Sequence, residues 1–247
     1  MKKLVLLSGI LLTVTATVAS AGSGTNLRWN VCFGDGGILN KSFACDSNSG
    51  QQQLVGSFVS GTSIPQSFEN DFVVDLASGS PTFPAWWSFS VGSCRIGSLR
   101  GNSLPGTNCL DWSSGLSILT WGYQTGLRGP NTTRIRGGGV VNRLDAADLL
   151  PAQEYLVFTL IVDNRKTVGP GSCTGCQTGV CIVFNSLECM TNLPANNRII
   201  TGPTNGTDSN YCTWQGGGSP VVGTAAGCPA ATPTKNATWG VVKALYR

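Results

Sequence analysis

Apolar and polar side chains alternate with a period of two along much of this sequence. Leu54, Gly56 and Phe58 alternate with Val55, Ser57 and Val59, and Phe72 and Val74 alternate with Asp71, Val73 and Asp75. Leu116, Ile118 and Thr120 do the same with Ser117, Leu119 and Trp121. The strongest run, EYLVFTLIVD at 154–163, is dense in aromatic and β-branched residues, and shorter runs occupy 181–184 and 198–201. A period of two sends successive side chains to opposite faces, as a strand requires. Turn signals separate the runs: Asp35-Gly36-Gly37, Asn48-Ser49-Gly50, Ser78 to Pro81, Asn102 to Gly106 and Gly202 to Gly206. The expectation is an all-β chain, an antiparallel β-sandwich of jelly-roll or Ig-like type with at most short helices. One short helix is expected at 144–150, before Pro151. A second is preferred at 238–247, where Trp239, Val242 and Leu245 recur at helical spacing after a capping Thr238, although Trp239, Val241 and Leu245 also suit a strand face.

The first 21 residues, MKKLVLLSGILLTVTATVASA, have the form of a secretory signal peptide: a basic start, an apolar run, and small residues at 19–21. The run is shorter than the roughly 20 apolar residues a bilayer span needs and is diluted by Ser, Gly and Thr. Residues 22–247 are therefore expected to be one exported domain, with no transmembrane segment in the mature chain. The expected location is extracellular or at the cell surface, with the periplasm as the alternative.

Ten cysteines in an exported chain favour cross-links, because such compartments oxidise thiols. Cys32, Cys45, Cys94, Cys109, Cys173, Cys176, Cys181, Cys189, Cys212 and Cys228 are all expected in disulfides. Spacing suggests Cys32 with Cys45, Cys94 with Cys109, Cys212 with Cys228, and the four from Cys173 to Cys189 among themselves. The crowded stretch GSCTGCQTGVC, 171–181, also invites a zinc reading. A structural zinc site usually draws on two ligand pairs separated by a longer loop, which is lacking, and Cys181 opens an apolar strand-like run. A redox role for Cys173 and Cys176 would need a helix N-terminus to acidify the thiol, whereas glycines surround them.

The segments RWNVC at 28–32, FAC at 43–45, PAWW at 84–87, the cysteine loop 173–181 and the ending TWGVVKALYR at 238–247 resemble a group of uncharacterised secreted bacterial proteins. The resemblance covers most of residues 22–247 through loose motifs. It implies bacterial origin, export and a similar layout, and it brings no activity or site residue with it.

The chain contains no histidine. That excludes Ser-His-Asp and Cys-His nucleophile systems, His-bound catalytic zinc and the commonest proton shuttle. Without Lys2 and Lys3 the formal charge falls from +4 to +2, and no basic face of the kind that binds nucleic acid is present. No metal or cofactor is expected; Asp35, Asp46 and Asn48 offer oxygen atoms to calcium without a recognisable loop motif. Carboxylate pairs remain open to glycoside hydrolysis. Glu69 and Asp71 lie about 7 Å apart by strand rise and Asp71 and Asp75 about 13 Å, while Asp145 and Asp148 share the expected helix. The aromatic pair Trp86-Trp87 is the preferred ligand-binding candidate. If both lie in one strand, one must face outward and offer a flat surface to a sugar ring or a protein. Core packing is the default for Trp112, Trp121 and Trp214.

The sequence thus favours a secreted, non-enzymatic β-sandwich with a structural or extracellular-assembly role. Its expected partners are polysaccharide or another extracellular protein, not nucleic acid. Rival expectations are a carbohydrate-binding module using an exposed tryptophan, a carboxylate-based glycoside hydrolase, and a filament or sheath subunit.

Overall fold

The computed structural model describes residues 22–102, 109–127 and 129–217. The expected signal peptide, Cys228 and the C-terminal segment lie outside the described residues. Thirteen strands are described: β1 Gly24–Trp29, β2 Asn40–Lys41, β3 Gln51–Val59, β4 Ile64–Ser78, β5 Leu99–Asn102, β6 Leu110–Asp111, β7 Ile118–Thr125, β8 Thr132–Val140, β9 Ala147–Leu149, β10 Glu154–Asp163, β11 Val180–Thr191, β12 Arg198–Thr201 and β13 Tyr211–Trp214. They form two sheets. The smaller has the order β1-β3-β10-β5, with β6 also on β10; the larger runs β2-β13-β11-β4-β8-β7, with β12 also on β11 and β9 on β4. All pairings are antiparallel except β6 on β10 and β2 on β13. The expected all-β sandwich is the fold observed, with the run at 154–163 forming β10 and that at 198–201 forming β12.

The two sheets meet through the apolar side of each alternation. Phe72 of β4, Phe158 of β10 and Phe184 of β11 lie in mutual contact, with Phe72 and Phe158 ring centres 4.3 Å apart. Gly56 of β3 is required there, because a Cβ would strike the Phe158 ring. Residues 144–150 contain no α-helix: Arg143–Asp145 is one 3-10 turn, capped by Asn142, and β9 follows. Pairing to β4 gives these backbone groups more partners than a single isolated helical turn could.

Three disulfides cross-link the fold: Cys32–Cys109, Cys45–Cys176 and Cys94–Cys173, separated by 77, 131 and 79 residues. Cys181 is also disulfide-bonded. The expected local pairs Cys32–Cys45 and Cys94–Cys109 do not form, and Cys173 and Cys176 leave their cluster for distant partners. The reason is topological: strands remote in sequence are neighbours in a sheet, so the nearest cysteine in space is rarely the nearest in the chain. Cys189 and Cys212 are buried thiols, contrary to the expectation that all ten cysteines are bonded. Cys212 stands opposite Ile182, seven positions along β11 from Cys189, which is about 20 Å of strand and far beyond bonding reach. Among the described residues no helix is long and apolar enough to cross a membrane.

Candidate functional site

Trp86 and Trp87 do not form a surface. They sit on the 3-10 turn Ala85–Trp87, not on a strand, and both are essentially inaccessible, at 0% and 1% exposure. Off a strand, adjacent side chains need not point to opposite faces, and here both enter the core. Trp86 stacks on Trp214 with ring centres 4.9 Å apart, and Trp87 meets Trp214 edge-on at 5.6 Å. The Arg95 guanidinium lies 3.7 Å from the Trp86 ring centre. Burial brings Arg95 down to about 10, with Asp163 opposing that shift, so it is a cation at neutral pH. The Trp86 indole N–H donates to Thr167 Oγ1 at 2.9 Å, and its backbone N–H donates to Thr174 O at 2.8 Å. The cysteine loop is therefore the cover of this aromatic cluster, held down by Cys94–Cys173 on one side and Cys45–Cys176 on the other.

The polar groups that converge do so elsewhere, on the outer face of the larger sheet. β11 reaches this arrangement through a bulge at Asn185, between Phe184 opposite Val74 and Ser186 opposite Val73. Before the bulge Cys181 and Val183 face outward into a small cluster with Ala77 and Tyr211. One added residue reverses the alternation, so Ser186 and Glu188 turn outward while Leu187 and Cys189 join the core. Asn185 is buried and donates to Asp75 Oδ2 at 2.6 Å. Asp75 is clamped from β8 by Arg134, whose Nε and Nη2 lie 2.6 and 2.7 Å from its two carboxylate oxygens.

The ladder registers then align one row across five strands: Ile199 of β12, Glu188 of β11, Asp71 of β4, Gly138 of β8 and Thr120 of β7. The neighbouring row is Thr201, Ser186, Val73, Arg136 and Gly122 on the same strands. Glycines at 138 and 122 leave a trough in the sheet surface, and the two rows border a groove of about 530 Å³. Gly138 leaves room for the Asp71 carboxylate, which a Cβ at this position would displace. Asp71 and Glu188 are direct cross-strand partners, which places their Cβ atoms about 4.5–5.5 Å apart. Burial raises the Asp71 carboxyl above its ordinary value, with Arg136 acting against the shift. Glu69 is raised by burial and then by Asp71, with Arg143 opposing and Glu188 reinforcing. The groove thus presents two carboxylates, a guanidinium and two hydroxyls on a rigid sheet.

Of the carboxylates considered from sequence, Asp71 lines the groove and Glu69 lies one row away, whereas Asp75 is a buried ion-pair partner of Arg134. Asp148 accepts from the Gln66 backbone N–H at 2.8 Å. Asn48 Oδ1 accepts from the backbone N–H groups of Thr167 and Val168, so it is occupied by its own chain. Among the described residues no group of three His, Cys, Asp or Glu side chains is placed to hold a metal. Glu188, Ser186, Arg136 and Thr120 escaped sequence reading. Glu188 is displaced from the alternation of its strand by the bulge, and β8, with Gly137 to Gly139 in succession, carries no clear strand pattern. No protein-family model matches this chain, and no curated protein sequence matches it.

Proposed function

We propose that this protein is an exported, non-enzymatic β-sandwich that binds polysaccharide through the outer face of its larger sheet, at the cell surface or in extracellular material. The observation that carries the reading is the row Glu188, Asp71, Gly138 and Thr120, bordered by Ser186 and Arg136. Carboxylates and a guanidinium in fixed positions make strong, directional hydrogen bonds to sugar hydroxyls. A groove of about 530 Å³ is within the usual range of small-ligand sites.

Hydrolysis by carboxylates is the less supported reading. A glycosidase needs its two carboxyl groups on opposite sides of the scissile bond, whereas Asp71 and Glu188 rise side by side from adjacent strands of one sheet. The test is affinity electrophoresis of the purified protein through gels containing a panel of soluble polysaccharides, with Asp71→Ala and Glu188→Ala as controls. Retardation of the wild type by at least one polysaccharide, reduced in both variants, is the expected result. Migration unaffected by every polysaccharide ends the proposal, and release of reducing sugar in the same mixtures would replace it with the hydrolase.

A further inference from the structure

The edges of the two sheets differ sharply in how they are protected. A bare edge strand is a template for another strand, and stable β proteins blunt their edges with charge, proline, bulges, short length or a covering loop. The β1 edge is covered: the Thr25, Leu27 and Trp29 N–H groups donate to Gly202 O, Ser209 O and Ile38 O at 2.8, 2.7 and 3.0 Å. β5 and β12 have four residues each and contain Arg100 and Arg198, while β2 has two residues and includes Lys41. Among the described residues β7 has none of these devices. Its eight residues, ILTWGYQT, contain no charge and no proline, and its ladder with β8 runs without a register shift. Among the described residues β8 is its only ladder partner.

The core is also unfinished along this edge. The inner-face residues Phe72, Val74 and Leu76 of β4 are at most 1% exposed. Their counterparts Leu119, Trp121 and Tyr123 on β7 pack against the same core yet remain only partly buried. On the outer face Ile118 is 69% exposed beside its cross-strand partner Val140 at 40%, and Leu116 just before the strand is 56% exposed. A strand that is neutral, unbent and apolar at one end fits its own copy without like-charge repulsion.

We propose that a second copy of this chain pairs with β7 edge to edge, antiparallel about a twofold axis through the middle of the strand. The axis passes at Trp121 or Gly122, since only pairings whose residue numbers sum to an even value keep each face on its own side. The eight-stranded sheet then continues across the dimer, and the partner's strand covers Leu119, Trp121 and Tyr123. Such an isologous contact closes on itself and does not propagate into fibres. It does not rest on polysaccharide binding: Gly122 also borders the groove, but the dimer is read by sedimentation with no polysaccharide present.

The test uses Gly122, where an added Cβ meets nothing within 4 Å, so that a longer side chain is tolerated within one protomer. Sedimentation velocity of the purified protein at micromolar concentration is expected to show a dimer for the wild type. Gly122→Lys and Gly122→Glu should each sediment as monomers with unchanged thermal unfolding, and an equimolar mixture of the two should recover the dimer. Hydrogen exchange should show the β7 amides that point away from β8 protected in the dimer and exposed in the variants. A monomeric wild type overturns the proposal, and protection in that monomer of the β7 amides that point away from β8 would mean that a segment of the same chain covers the edge. A dimer that persists in both variants, or variants that do not recombine, also overturns it.

Discussion

Asp71 stands at the centre of the groove in a position that burial makes unfavourable for charge. A carboxyl whose pKa is raised on folding binds its proton in the folded protein at a pH where the unfolded chain has already released it. Native stability therefore falls as pH rises from the ordinary carboxylate range through the raised folded value, and the cost is fully present above that value. Glu69 acts in the same direction. Asp71→Asn is expected to leave stability at neutral pH unchanged or higher and to flatten the fall in stability that sets in as pH rises above the ordinary carboxylate range, measured by urea unfolding from acid to neutral pH. A residue that costs stability and is spared by a glycine opposite it is suited to a binding role rather than a structural one. Arg134 is the contrasting case, because its partner Asp75 is buried and accepts both of its contacts. Arg134→Ala is expected to cost about 3–5 kcal/mol in equilibrium unfolding, since it strands a buried carboxylate with Asn185 as a remaining donor. Asp71 and its close neighbour Glu69 were legible in the sequence as a carboxylate pair. Which of them meets Glu188 was not, because that depends on a register between β4 and β11 that no local pattern encodes.

At the scale of elements, the bulge in β11 decides what the outer face contains. Asn185→Ala keeps the bulge and removes one hydrogen bond to Asp75; a loss of about 1–3 kcal/mol is expected in the same unfolding measurement. Deleting Asn185 is expected to close the bulge and leave the facings as they are, because Ser186 already pairs with Val73 as the residue that follows Phe184; a soluble, folded protein with a stability loss close to that of Asn185→Ala would register that outcome. Gly138→Ala tests the trough itself. It should displace the Asp71 carboxylate and weaken retardation by polysaccharide while the far-ultraviolet circular dichroism stays that of a β protein. The sequence announced β10 and β12 correctly, since both are uninterrupted alternations or apolar runs bounded by turn residues. It did not announce β8, TTRIRGGGV, because three glycines erase the pattern. Gly137 and Gly138 are there to let Phe72, Trp121 and Asp71 approach the backbone closely, a reason that exists only after the neighbouring strands are in place.

Across the whole molecule, the disulfides join segments far apart in the chain. In the chain-entropy description, closing loops of these lengths stabilises by about 4–5 kcal/mol per bridge, an upper range that overlapping loops will not reach in sum. Cys45→Ala with Cys176→Ala is expected to cost about 2–5 kcal/mol and to loosen the cover over Trp86 and Trp214, read by denaturant unfolding followed through tryptophan fluorescence. Peptide mapping without reduction should recover Cys32–Cys109, Cys45–Cys176 and Cys94–Cys173. Alkylation should reach Cys189 and Cys212 only after unfolding, because burial raises both thiols and excludes reagent. Modification of either thiol in the native protein would contradict the core position assigned to it.

What the sequence determined by itself follows from local rules. Alternation and turn residues are properties of a few neighbouring positions, and they were enough to specify strands, two apolar sheet faces and a sandwich. The absence of histidine was enough to remove whole classes of chemistry. The tertiary structure alone decided which cysteines meet, that Trp86 and Trp87 are interior, and that Asp71 meets Glu188. Those are contacts between residues as many as 131 positions apart. They are set by strand order, register and one bulge, and a one-residue change in register rewrites the surface while leaving every local signal as it was.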